Sequence, residues 1–337
     1  MAEKKLSVAI VSPWMVRCGI SSYTFDLANA LSMQGVDVYI VRLNRFGTKT
    51  AEYFETLASR RMPKVDLIHI QNEYGLYQGG EAIFYGNLRQ RQGATPIVTT
   101  MHSVGSPIPD ETVAENSDAV IVHNRWCEEK YDHPCKVIPH GVSPETPVEM
   151  GEAKDRLRLE GPVVTVFGFV GPYKGVETAV RTIGMDFPGV NLLVAGGWHV
   201  DYETMYMAQV KDLANTLAPG QVRWTGWVEK DMLPVIFGAS DVVLYTNKFA
   251  TESGALLTAL GYGKCALAKA LAPVKEKEAE GALLTFRNEG ELVMRLEELL
   301  QDPALRHKYE EGARRYAEKH SWEKVARMHL DLYEELV

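Results

Sequence analysis

The stretch Val166-Phe167-Gly168-Phe169-Val170-Gly171-Pro172-Tyr173-Lys174-Gly175 carries residue types whose order suits the binding of an anion. An apolar run from Val163 to Phe167 leads into glycines and a lysine. A segment follows whose Val176, Ala179, Val180 and Ile183 keep helical spacing. Glycines let a backbone approach a ligand, and a helix start offers unpaired N–H groups at its positive dipole end. Lys174 adds a mobile positive charge, and the whole suits a phosphate or diphosphate. A second candidate is Thr251-Glu252-Ser253-Gly254, which opens the helix-like run Ala255 to Leu260. Glu252 is suited to holding a hydroxyl, and the amides of Ser253 and Gly254 to holding a phosphate. Acids and serines also favour first turns simply as caps.

Three further positions carry weight. His102 closes the apolar run Pro96 to Met101 and is placed to donate a hydrogen bond at a strand mouth, whereas His69, inside Leu67-Ile68-His69-Ile70, reads as a core residue. Gln71-Asn72-Glu73 follows at a strand end, where polar residues can bind an acceptor or merely start a loop. Gly19 precedes a helix predicted over Ile20–Gln34, with Ser21 or Ser22 as its cap and Arg17 nearby as a second cation. One glycine there is too few for the dinucleotide fingerprint, which argues against NAD. Neither HExxH, a Walker lysine loop, GxSxG nor a DxD pair occurs, so metal-dependent phosphoryl chemistry has no visible carrier.

Strands and helices must alternate to position these residues. Strand-like runs are predicted at Ser7–Ser12, Val36–Val41, Leu67–Gln71, Pro96–His102, Ala119–His123 and Lys136–Pro139 in the first half. In the second they fall at Val163–Phe167, Asn191–Ala195, Val222–Trp224, Val242–Tyr245 and Cys265–Lys269. Alternation with helices implies parallel sheets, hence an α/β chain of two doubly wound lobes facing a cleft. The polar, proline-containing Gly141–Pro147 marks the boundary, near residues 142–160. In such sheets ligands sit beyond the carboxyl ends of the strands, which is where the candidates above lie.

Composition narrows the partners. At 337 residues the chain can bury two cores, and a net charge of −8 without a basic run argues against nucleic acid. No stretch reaches the roughly 18 apolar residues of a spanning helix, and the N-terminal apolar run is too short for a signal peptide. The four scattered cysteines read as free thiols of a reducing cytoplasm.

Together these residues resemble the large group of retaining GT-B glycosyltransferases that includes sucrose synthase and phosphatidylinositol mannosyltransferase. The carriers are Arg17–Thr24, His69–Glu73, the strand ending at His102, Val137–Val142, Gly168–Gly175, Leu193–Gly197, Trp224–Val228, Ser253–Gly263 and Ser321–Ala326, in that order along nearly the whole chain. The resemblance implies two Rossmann-like domains, residues 1–150 binding the acceptor and 151–320 the nucleotide sugar. Residues 321–337 would form a helix crossing back to the first. It implies transfer of a hexose from a nucleotide diphosphate sugar to a carbohydrate or glycolipid acceptor hydroxyl, with retention and no cofactor or metal. The location implied is cytoplasmic, at or off a membrane surface.

By the same resemblance, His102 and Glu252 are catalytic. Gly19, Gly168, Lys174, Ser253, Gly254 and Thr258 bind the donor, and Gln71, Asn72 and Glu73 the acceptor. The pattern departs at two places. Phe169 stands where an arginine is usual. The family's second glutamate aligns with Thr258 and its first with Ala250, so that Glu252 takes that place only with a shifted loop. The broken pair keeps two rivals open: a catalytically weakened nucleotide-sugar-binding homologue or regulatory subunit, and a GT-B nucleotide-sugar epimerase.

Overall fold

In a computed structural model, residues 5–59, 62–198 and 205–337 are described. The chain forms two compact units, one of Met1–Gly141 with His320–Val337 and one of Val142–Lys319.

The first unit holds six parallel strands, β1 (Ser7–Ser12), β2 (Asp37–Arg42), β3 (Leu67–Asn72), β4 (Ile97–Met101), β5 (Ala119–Val122) and β6 (Lys136–Val137), in the order β2-β1-β3-β4-β5-β6. Strands β3 and β4 are buried along their entire length, which is why they read as unbroken apolar runs rather than as alternating ones. The helix Trp322–Glu334 packs into this unit. Its Trp322, Val325, Ala326 and Tyr333 share a core with Tyr23, Leu27 and Leu31 of the helix Gly19–Met33. Trp322 lies so close over Gly141 that any Cβ there would sit 2.2 Å from its ring.

The second unit has β7 (Val163–Phe167), β8 (Asn191–Ala195), β9 (Val222–Gly226), β10 (Val242–Tyr245), β11 (Ala266–Lys269) and β12 (Leu284–Phe286), in the order β12-β11-β10-β7-β8-β9. All its strand pairs are parallel. The order reverses between β7 and β10, and at such a switch point the loops after the two strands diverge and leave a crevice.

Sequence and structure differ in detail. Strand β12 was not expected, and β9 runs on to Gly226. The first helix begins at Gly19, so neither Ser21 nor Ser22 caps it. Cys18 is the cap position, and its side chain makes no capping bond. Ser21 instead accepts from Val16 N, and Ser22 donates back to Cys18 O, because both already lie within the first turn. Among the described residues, no helix is long and apolar enough to cross a membrane.

Candidate functional site

The second unit places its candidates at the switch point. After β7 the chain turns at Gly168, whose φ is +111° and whose Cβ would lie 3.0 Å from Ala255 Cβ and 3.5 Å from Lys174 Nζ. The absent side chain thus leaves a gap between the lysine and the head of the helix Gly254–Gly261. Pro172–Lys174 forms one tight turn, tied to the loop after β10 by two bonds. Thr246 Oγ1 donates to Lys174 O at 2.8 Å, and Lys248 N donates to Tyr173 O at 2.8 Å. The motif therefore holds its lysine by backbone contacts that the sequence pattern did not reveal.

Lys174 is only 7% exposed, and no carboxylate lies within ion-pair distance of it among the described residues. Its ammonium rests 5.5 Å from the Tyr173 ring centre and 5.7 Å from that of Tyr245. Burial lowers its pKa from 10.5 to about 8. A cation kept from water without a partner is costly to the fold, and an anion placed beside it removes that cost. The adjacent helix head adds to the same field. Ser253 is its N-cap, accepting from Leu256 N at 3.4 Å, and Gly254 begins the first turn. Thr258 turns its hydroxyl onto Gly254 O at 2.8 Å, so it backs the helix.

Glu252 has a partner that sequence reasoning missed. Its carboxylate accepts from Lys277 Nζ at 2.8 Å and from Ser253 N at 2.8 Å, with the Lys277 and Glu252 side chains only 3% and 9% exposed. Phe169, at the place of the usual arginine, packs its ring 5.4 Å from that of Trp227.

Gly196, at the end of β8, limits the same crevice: a Cβ there would lie 1.9 Å from Gly168 O. Gly196→Ala is therefore expected to cost about 1–3 kcal/mol of stability through overpacking. It should also displace the Gly168 turn, weakening inorganic pyrophosphate binding. Denaturant melts and pyrophosphate titration check the two effects.

The first unit gathers a different set. His102 Nε2 lies 2.8 Å from Gln71 Oε1, its Nδ1 lies 3.4 Å from His123 Nε2, and the Tyr23 ring meets it edge-on at 4.8 Å. Burial, and then the neighbouring rings of His123, His140 and His69, hold its pKa well below the usual histidine value. The imidazole is accordingly neutral near pH 7 and acts by hydrogen bonding rather than by charge. Gln71 continues inward to His69, which lies 2.8 Å from Thr100 Oγ1 and 2.6 Å from the Tyr333 hydroxyl. His69 is thus a satisfied core residue.

Gln71 and Asn72 are both fully buried, and Asn72 Nδ2 donates to Tyr85 Oη at 3.4 Å. Their side chains face the interior of the fold, because β3 extends through Asn72 and is covered on both sides. Of the three acceptor candidates, only Glu73 is half-exposed. Gly19 opens its helix as an exposed residue, and Arg17 is exposed beside it.

Comparison with known proteins agrees with this architecture. Residues 151–316 match the family model of glycosyl transferases group 1. No curated protein matches the chain. Among solved structures, sucrose-phosphate synthase from Thermosynechococcus elongatus is similar with a TM-score of 0.81 at 19% identity, covering 98% of this chain and 99% of that one. A glycosyltransferase from Rickettsia africae has a TM-score of 0.80 at 16% identity, covering 99% of each chain. HepE of Anabaena, solved with UDP and glucose, has a TM-score of 0.78 at 16% identity, covering 98% of this chain and 100% of that one. The second unit thus carries the match to the glycosyl transferases group 1 model, and the chain has the two-sheet GT-B fold.

Proposed function

We propose that the chain transfers a hexose from a nucleoside diphosphate sugar to an acceptor hydroxyl, with retention of configuration and without a bound metal ion. The observation that carries this reading is the buried ammonium of Lys174, with no carboxylate partner among the described residues, between the Gly168 turn and a helix head. HepE, with the same fold, was solved with UDP and glucose, in keeping with a donor of that class.

In this reading the donor diphosphate lies against Lys174, Gly168 and the first turn at Ser253 and Gly254. As the bond from the anomeric carbon to the diphosphate oxygen breaks, charge grows on that oxygen. The ammonium and the aligned N–H groups stabilise it, work that a metal ion does elsewhere. The acceptor hydroxyl passes its proton to a donor phosphate oxygen, so no protein base is needed. His102 is the residue of the first unit assigned to the transferred sugar, held in orientation by Gln71. Glu73 is the remaining acceptor contact, the acceptor being a carbohydrate or glycolipid.

The Glu252–Lys277 pair favours a second reading, in which the site binds the donor but turns it over weakly, because the carboxylate is already engaged. A thermal-shift panel of nucleotide sugars, followed by an assay for released nucleoside diphosphate, separates the two. A ligand bound only to the folded state raises Tm. The transferase reading expects one donor to raise Tm and to release diphosphate with acceptor, both effects vanishing in Lys174→Ala and release also in His102→Ala. Binding without release selects the second reading, and interconversion of sugars without acceptor would select an epimerase.

A further inference from the structure

The loops after β2 and β3 both leave the carboxyl edge of the first sheet, where ligands of such sheets sit. The structure ties these two loops together. Lys49 N donates to Gln78 Oε1 at 3.3 Å, and Gln78 Nε2 donates to Gly47 O at 3.2 Å. Asn44 N donates to Tyr53 Oη at 2.7 Å, which fixes the same loop against the helix Ala51–Ser59. Gly47 turns the chain with φ at +86°, a conformation that a side chain would strain. Gln78 in turn ends the short helix Tyr74–Tyr77 that Glu73 opens, so the loop stands against the segment holding the acceptor candidate.

This built loop keeps a cation from water. Lys49 Nζ is buried and has no hydrogen-bond partner among the described residues. Burial lowers its pKa, the Arg45 guanidinium lowers it further, and no carboxylate opposes them. Arg45 lies over the Phe46 ring at 5.1 Å and makes no ion pair among the described residues. The acids of the neighbouring segments are engaged elsewhere or stand in solvent. Glu52 and Glu55 are exposed. Glu73 folds back over Gly75, whose Cβ would lie 3.0 Å from its Oε2, and Glu81 bonds its own backbone amide. Two cations therefore lie together without a counter-charge, a cost that an anion would remove.

We propose that Lys49 and Arg45 form a phosphate subsite, so that the acceptor is a phosphorylated molecule whose phosphate docks on this loop. A guanidinium meets phosphate oxygens as a two-point fork, and an ammonium adds a compact charge. The helix Ala51–Ser59 begins two residues after Lys49 and adds its positive dipole end to the same field. Glu73 keeps its place as the contact for an acceptor hydroxyl, so phosphate and reacting hydroxyl belong to different parts of the ligand. The acceptor role rests on the transferase reading, whereas the phosphate subsite is tested by binding alone.

The test uses full-length Lys174→Ala, in which the donor site cannot compete for phosphate. Glucose 6-phosphate and glucose are compared by thermal shift and calorimetric titration. Vesicles of phosphatidylcholine, with and without phosphatidic acid, are compared by co-sedimentation. Glucose 6-phosphate should raise Tm and glucose should not. Adding Lys49→Gln should abolish the shift, and adding Arg45→Gln should weaken binding about tenfold, as loss of one charge-assisted hydrogen bond does. Lys49 bonds Gln78 through its backbone N–H, so Lys49→Gln should leave the unliganded Tm unchanged, and Lys49→Arg should retain binding. Co-sedimentation that needs both phosphatidic acid and Lys49, without a shift by glucose 6-phosphate, also supports the subsite and assigns its phosphate to a lipid headgroup. The proposal is overturned if neither probe binds in a Lys49-dependent way, or if glucose matches glucose 6-phosphate. Failure of the transferase reading shows separately, as the absence of any donor-induced rise of Tm in the unsubstituted chain.

Discussion

Lys174→Ala is expected to lower kcat/KM for the nucleotide-sugar donor by about 100- to 1,000-fold, the loss seen when one preorganised charge-stabilising donor is removed from a transition state. The chain should show the upper end of this range, because Phe169 contributes no second cation and packs on Trp227 instead. The same substitution should not weaken the empty fold. With its pKa near 8 rather than 10.5, the buried ammonium carries a desolvation cost on the order of 3 kcal/mol, which alanine removes. Tm of the unliganded variant should therefore hold or rise while donor binding disappears.

The pH dependence follows with a definite sign. Between pH 8 and 10.5 the unfolded chain holds a proton on this lysine that the folded chain has released. Its contribution thus makes stability rise with pH across that window, and the slope should be missing from Lys174→Ala. Diphosphate affinity should move the opposite way, falling above pH 8 as the ammonium is lost. Denaturant melts and calorimetric titrations with nucleoside diphosphate at pH 7, 8 and 9 would show both. An affinity flat across that range would contradict the assignment.

Lys277→Met is expected to cost about 3–5 kcal/mol of stability, since it strands the Glu252 carboxylate in a nearly dry site. The paired change Glu252→Gln with Lys277→Met should recover most of that loss, because a neutral amide needs no counter-charge there. Stability and activity should then part company. If Glu252 touches the transferred sugar, Glu252→Gln loses turnover and the double variant regains its fold but not its rate. Recovery of rate along with stability would assign the pair to structure alone. A double-mutant cycle read by both melts and product release makes the distinction, as the two residues are in contact and their effects should not add.

What the sequence revealed, and what it hid, follow from how each residue is surrounded. The β7 turn was legible because its apolar strand, glycines and lysine are local features that act within a few residues of one another. Strand β12 was not, since Leu284–Phe286 is a three-residue edge strand with the polar Thr285 at its centre. Lys277 was invisible for another reason. It sits in Lys275-Glu276-Lys277-Glu278, which reads as a solvated charged face, and only the packing of its helix buries it against Glu252. Gln71 and Asn72 show the converse error. A polar pair at a strand end has the same appearance whether it meets a ligand or the interior, and here it meets the interior. His69 and His102 differed by position alone, one inside a strand and one at its end, and that distinction survived.

One consequence concerns the order in which the chain is made. Tyr333 on the helix Trp322–Glu334 is hydrogen-bonded to His69, and that helix covers Tyr23 and Leu27. A ribosome releases the six strands of the first unit, then the whole second unit, and only afterwards this helix. The second unit can close while synthesis continues. The first must wait with part of its core uncovered, and the bond that anchors the His69–Gln71–His102 chain forms only after the second unit has been made. A nascent chain halted near residue 319 would thus carry a finished second unit and a first unit still lacking its cover.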